Sequence, residues 1–185
     1  MNRSTKKVAL SAILSAIGVV FLLTGSFLQV LDLSSAALAG FVIVLAVIEI
    51  RGKYPMLMYF VISLISILIL PNKLPAVFFI AFGGIYPILK AQFERRHPAV
   101  SWVLKFSMFN IMLWLLIFFI RLLISRELIN LNENTGLSVD FFNNFEIIVF
   151  LVANFTFLLY DIAMTKIINI YIVKVRKLLK LENYF

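Results

Sequence analysis

Six apolar stretches, parted by short clusters of glycine, proline and charge, leave this 185-residue chain few folds to choose from. They run from about Val8 to Thr24, Ser34 to Ile50, Tyr54 to Leu70, Leu74 to Leu89, Val103 to Ile124 and Phe145 to Ile170. The breaks fall at Gly25, at Arg51-Gly52-Lys53, at Pro71-Asn72-Lys73 and in the Glu94–Pro98 cluster. A bilayer core of roughly 30 Å takes about 20 helical residues. The charge-free parts 33–48, 74–89, 106–120 and 147–160 fall short of that. Either lysines and arginines at their ends reach the headgroups, or some segments insert without fully crossing. With 63% hydrophobic and 14% charged residues, against roughly 45–50% and about 25% in soluble chains, the expectation is an all-α integral membrane protein. Its architecture is a bundle of six transmembrane helices with both termini cytoplasmic.

The net charge of +8 supports that count once the charges are placed. With the N-terminus inside, the inner positions hold Arg3, Lys6, Lys7, Arg51, Lys53, Lys90, Arg95, Arg96, Lys105, Lys166, Lys174, Arg176, Lys177 and Lys180. The outer positions hold Lys73, Arg121 and Arg126. Fourteen against three is a positive-inside pattern in register with six crossings of a bacterial cell membrane. The basic excess is therefore an orientation signal. A nucleic-acid partner is set aside, because no soluble domain carries a groove-reading element.

The expected layout is a transmembrane domain over 1–170, an external loop over about 125–145, and a cytoplasmic tail over 171–185. The loop is polar and asparagine-rich, with Phe141 and Phe142 to bury. The tail alternates basic and apolar residues at near-helical spacing and suits the anionic inner leaflet. MNRSTKK followed by an apolar run opens like a signal peptide. The run is longer than a signal's apolar region, and no clear A-x-A site follows, so it is read as a retained helix.

Several chemistries are excluded by what is missing. The chain has no cysteine and one histidine, His97, which removes disulfides, thiolate metal sites and cysteine nucleophiles. It has no G-x-x-x-x-G-K-[ST], no H-E-x-x-H, and no serine with a histidine base to match. Tyr160-Asp161 resembles one half of an intramembrane aspartyl dyad, but no second aspartate lies in any span. The expectation is a non-enzyme without cofactor or metal.

Polar residues inside the apolar segments are costly unless paired or facing water. Glu49, Lys90, Lys105 and Asp161 share a level near the cytoplasmic ends, where they form either an inter-helix ionic lock or a network that senses a partner. Nearer the outer face lie Gln29, Asp32, Ser34, Ser35, Asn72 and Lys73, with Arg121 and Arg126 closing the fifth helix and Asn143 and Asn144 opening the sixth. Asn110, Trp114 and Asn154 lie deeper. Arg121, Asn154, Asn110, Trp114, Asp32 and Asn144, with Phe78, Phe79 and Phe82, could line a small-molecule pocket of apolar walls and a few directional polar groups. Alternatively Asn110 and Asn154 hydrogen-bond across a helix pair, Arg121 snorkels, and the phenylalanines face lipid. In the first segment Ala9, Ala12, Ser15 and Ala16 form a smooth patch that lets another helix backbone approach, within the bundle or from a partner.

Six short helices with both termini inside, the Ala12-x-x-x-Ala16 spacing, and a substantial last external loop together resemble the substrate-binding S components of energy-coupling factor (ECF) vitamin transporters. That resemblance implies a solute-binding subunit for a vitamin-like nutrient. Its first-helix alanines would contact a transmembrane coupling protein served by two ATPase subunits, and its later helices and loops would hold solute near the outer face. No signature of riboflavin, thiamine or biotin members is present. The stretch Phe82-Gly83-Gly84-Ile85-Tyr86-Pro87-Ile88-Leu89-Lys90, with Leu159-Tyr160-Asp161, is similar to a group of uncharacterised small bacterial membrane proteins. The rival expectation is a structural or accessory membrane bundle without transport. Pro87 removes one backbone hydrogen bond and can kink its helix, and Gly83-Gly84 admits a close neighbour.

Overall fold

The computed structural model describes residues 3–50, 52–131 and 139–175, with side chains over 4–50, 52–118 and 147–174. Every element among them is helical: α1 (Arg3–Leu28), α2 (Asp32–Glu49), α3 (Tyr54–Ile69), α4 (Leu74–Phe78), a π-helical turn (Phe79–Gly83), α5 (Ile85–Phe93), α6 (Pro98–Leu131), α7 (Val139–Ile170) and a closing π-helical turn (Tyr171–Val175). Five helical segments are long and apolar enough to cross a membrane: Ser4–Leu28, Asp32–Glu49, Leu74–Phe93, Pro98–Phe118 and Ile147–Lys174. The third apolar stretch forms a shorter helix of 16 residues, about 24 Å at 1.5 Å per residue.

Proline starts helices here. Pro55 and Pro75 occupy the first turns of α3 and α4, and α6 begins at Pro98. The first turn has no internal acceptor for its N–H groups, so a proline there loses nothing and arrives with a helical φ. At the other end of α3, Leu70 is extended (φ −67°, ψ 130°), as a residue before a proline prefers. The Lys73 ammonium then donates to the Ile67 and Leu70 carbonyls, 2.7 and 2.5 Å away, and satisfies the last turn.

Two expected boundaries are corrected. Gly25 does not break the first helix; α1 continues to Leu28 and ends where Gln29 takes the left-handed φ of 54°. Gly25 instead lets α2 come close, since a Cβ there would collide with the Ser35 side chain. The described parts of the expected polar loop over 125–145 are helical, because α6 runs to Leu131 and α7 starts at Val139. Within a helix the backbone groups bond to each other instead of being left to water. Residues 132–138 and the side chains of Phe141 and Phe142 lie outside the described residues, as does the tail from 176 onward.

The chain divides into two compact units: residues 1–101 with 166–185, and residues 102–165. In the first, α2 is the central helix, in contact with α1, α3, α4, the π-turn and α5. Its small residues Ala36, Ala39, Gly40 and Ala46 are buried and bring neighbouring backbones near. Around them pack Leu22, Ile43, Ile62, Leu70 and Phe79, each 0–1% exposed. The π-turn stands where the kink at Pro87 was expected. Pro87 has no N–H, and its ring crowds the carbonyl four residues back, which is that of Gly83. Winding 79–83 wider, with Gly84 N–H bonded to the Phe79 carbonyl at 2.7 Å, re-registers the helix just before it.

The second unit is the antiparallel pair of α6 and α7. Phe157 stacks on Phe109 (centroids 4.4 Å apart, planes at 6°) and meets the edge of Phe106 at 5.3 Å.

Candidate functional site

The α6–α7 pair holds its polar residues in one ladder. Lys105 Nζ donates to Asp161 Oδ2 at 3.1 Å, with 5% and 3% of the two side chains exposed. The same ammonium lies 5.3 Å from the Trp102 ring centroid, so its charge is neutralised on one side and met by a π face on another. Five residues further along α6 and seven back along α7, Asn110 and Asn154 form a reciprocal amide pair at 3.1 and 3.0 Å. Asn110 Nδ2 also donates to the Phe106 carbonyl at 2.8 Å, and Asn154 Nδ2 to that of Phe150 at 2.9 Å. A carboxamide has two N–H donors, so all four donors of the pair are used. These asparagines therefore have only acceptor capacity left for any further group. Trp114, one turn beyond, is exposed and stacks on Phe118 at 5.8 Å.

In the first unit, one end of the bundle is tied by Asn72. Its backbone N–H donates to Ser26 Oγ at 2.8 Å, and the Ser26 hydroxyl lies 2.9 Å from the Asn72 carbonyl. Its Nδ2 donates to Asp32 Oδ1 at 3.2 Å, and its Oδ1 accepts the Leu74 N–H at 3.1 Å. The end of α1, the start of α2 and the α3–α4 turn are thereby joined. Asp32, expected among solute contacts, is a partner in this tie. The carboxylate also stands in the first turn of α2, where a helix favours negative charge.

The first helix presents two unlike faces. Ser15, Gly18, Val19, Leu22 and Ser26 are buried, whereas Ala9, Ala12, Ile13, Ala16, Ile17 and Val20 are exposed. The expected patch of Ala9, Ala12, Ser15 and Ala16 is thus divided: three alanines point outward, and Ser15, 7% exposed, points inward. Helical spacing explains the split, since 9, 12 and 16 share a stripe and 15 lies a further 60° or so around the helix from 12.

The four inner-level charges are placed as follows. Lys105 meets Asp161 in the second unit; Lys90 in the first meets Glu94, four residues on at the C-cap of α5, at 2.9 Å. Glu49 is buried in the last turn of α2, 8% exposed. Phe79 is a core residue rather than a pocket wall, 0% exposed, and Phe82 stacks on Tyr86 at 4.8 Å. The side chains of Arg121 and Asn144 lie outside the described residues, on α6 and α7.

Sequence reasoning missed the bond of the Tyr59 hydroxyl and did not name the neighbours of Gly83 and Gly84. The Tyr59 hydroxyl on α3 donates to the Ile80 carbonyl inside the π-turn at 3.0 Å. A Cβ on Gly83 would sit 2.7 Å from the Ala36 carbonyl oxygen, and one on Gly84 2.6 Å from the Tyr59 and Phe79 rings. The signal was present in Gly83-Gly84 followed by Pro87, which marks both a close approach and a helix that must change register. Comparison with family models, with curated proteins and with solved structures gives no match for this chain.

Proposed function

We propose that this chain is a multi-pass subunit of a bacterial cytoplasmic membrane assembly, docking a partner through the outward face of α1. Within that role we propose the solute-binding subunit of an ECF-type importer of a vitamin-like nutrient, with six crossings and both termini inside. The observation that carries the reading is the face of Ala9, Ala12 and Ala16, which is exposed among the described residues while the opposite side of α1 carries the core. Apolar surface alone does not draw helices together in lipid. Small side chains do, by letting backbones approach and dispersion contacts accumulate. The orientation follows from fourteen inner basic residues against three outer ones. Solute contact falls to Arg121, Asn144 and the exposed Trp114, because the donors of Asn110 and Asn154 are engaged with each other and with the backbone.

A second reading, a structural or accessory bundle without transport, is favoured by the same pairs: Lys105–Asp161 and Asn110–Asn154 spend the polar groups of α6 and α7 on each other. Affinity purification of the tagged chain in mild detergent separates the two. The importer reading expects a transmembrane protein and two ATPase chains to co-purify, with a small molecule detected by mass spectrometry. A chain recovered alone, without solute, supports the accessory reading.

A further inference from the structure

We infer that the end of the first unit opposite the Asn72 tie is a binding surface for anionic phospholipid headgroups, formed by Lys53, Arg95 and Arg96. The hydrogen bonds from Asn72 gather the end of α1, the start of α2 and the α3–α4 turn at one end. The helices between these points are single passes, so the start of α1, the α2–α3 turn and the α5–α6 turn lie at the other. The two ends differ in how their cations are used. At the tied end Lys73 is consumed by the carbonyls that finish α3. At the opposite end Lys53, Arg95 and Arg96 are exposed and make no ion pair or side-chain hydrogen bond among the described residues. Glu94, the acid beside the arginines, is occupied by Lys90 at 2.9 Å.

Three unspent cations therefore border the end of an apolar helix bundle, where the surrounding solvent changes from acyl chain to headgroup. Guanidinium groups present forked donors that match phosphate oxygens. An anionic lipid supplies that phosphate at the right depth together with acyl chains for the exposed apolar sides of α3, Leu57 and Phe60 among them. An acidic protein segment would match the charge but has no counterpart for the chains. The inference rests on the membrane-spanning reading and is independent of the importer.

The full chain in neutral detergent micelles, titrated with phosphatidylglycerol or phosphatidylcholine and read by native mass spectrometry, tests it. The expected result is preferential retention of phosphatidylglycerol, falling about fivefold for each charge removed in Lys53→Gln, Arg95→Gln and Arg96→Gln. Arg95→Lys with Arg96→Lys should keep most of the preference, and the single variants serve if the triple variant fails to fold. Equal retention of the two lipids, an undiminished preference in the neutralised variants, or equal capture of a polyglutamate peptide overturns the inference. A chain that stays dispersed without detergent overturns the membrane reading itself, which is a different failure.

Discussion

Lys105 and Asp161 meet at 3.1 Å from facing helices, each almost wholly removed from solvent. Two charges in such a place are costly to bury, and each offsets part of the other's cost. The pair therefore fixes which residues of α6 and α7 lie opposite each other, and the aromatic and amide contacts follow in the same antiparallel register.

Breaking that pair from one side should be severe. Lys105→Met or Asp161→Asn removes the opposite charge from a buried ion pair and should cost about 3–5 kcal/mol. The double variant Lys105→Met/Asp161→Leu should recover much of the loss. Denaturant or thermal unfolding in micelles, arranged as a double-mutant cycle, checks this; additive losses would show that the two charges act independently.

The amide pair should behave likewise at smaller scale. Asn110→Leu or Asn154→Leu should each cost about 0.6–2 kcal/mol, and the second substitution should add little once the first is made. Losses that add fully would mean that each amide matters only through its own backbone bond.

At the π-turn, Gly83→Ala places a methyl 2.7 Å from the Ala36 carbonyl oxygen. Backbone cannot swing aside as a side chain can, so α2 and the turn must separate, at about 1–3 kcal/mol. Gly18→Ala should be milder, since its Cβ would meet side chain rather than backbone, with the Cδ1 end of Ile62 nearest at 2.8 Å. Equal thermal shifts for the two would contradict this account of the contact.

Tyr59→Phe should remove the bond to the Ile80 carbonyl and leave the ring contact with Phe79 at 6.0 Å intact. A loss of about 0.5–1.5 kcal/mol is expected, together with faster amide exchange around Phe79–Gly84 than in α2. Unchanged exchange there would show that the π-turn is held by Pro87 and the glycines alone.

Much of the fold was legible because apolar run length and breakers are local signals. The turns at 52–53, 71–73 and 94–97 stand where charge, glycine and proline interrupt the apolar pattern. Gly25 misled because a glycine ending a helix and a glycine admitting a neighbour look alike until the neighbour is known. The 125–145 stretch misled because polar composition argued for a loop, while α6 continues to Leu131 and α7 already begins at Val139. Of the candidate site, Asn110 and Asn154 could be named from their cost inside an apolar segment, yet whether they faced a solute or each other depended on the register of two helices that brings together residues 44 positions apart. The division of the α1 patch was readable from spacing alone, since Ser15 falls off the stripe of Ala9, Ala12 and Ala16.

The central claim, that the outward face of α1 docks a membrane partner, is tested most directly by Ala12→Leu/Ala16→Leu in the tagged chain. The measurement is recovery of co-purifying membrane and ATPase chains per mole of folded protein, with the thermal midpoint in micelles as the control for folding. The account predicts that partner recovery collapses while the midpoint stays within a few degrees of the original, because both alanines are exposed in their own unit. Undiminished recovery, or a large fall in the midpoint showing that the alanines pack inside the bundle, would contradict it.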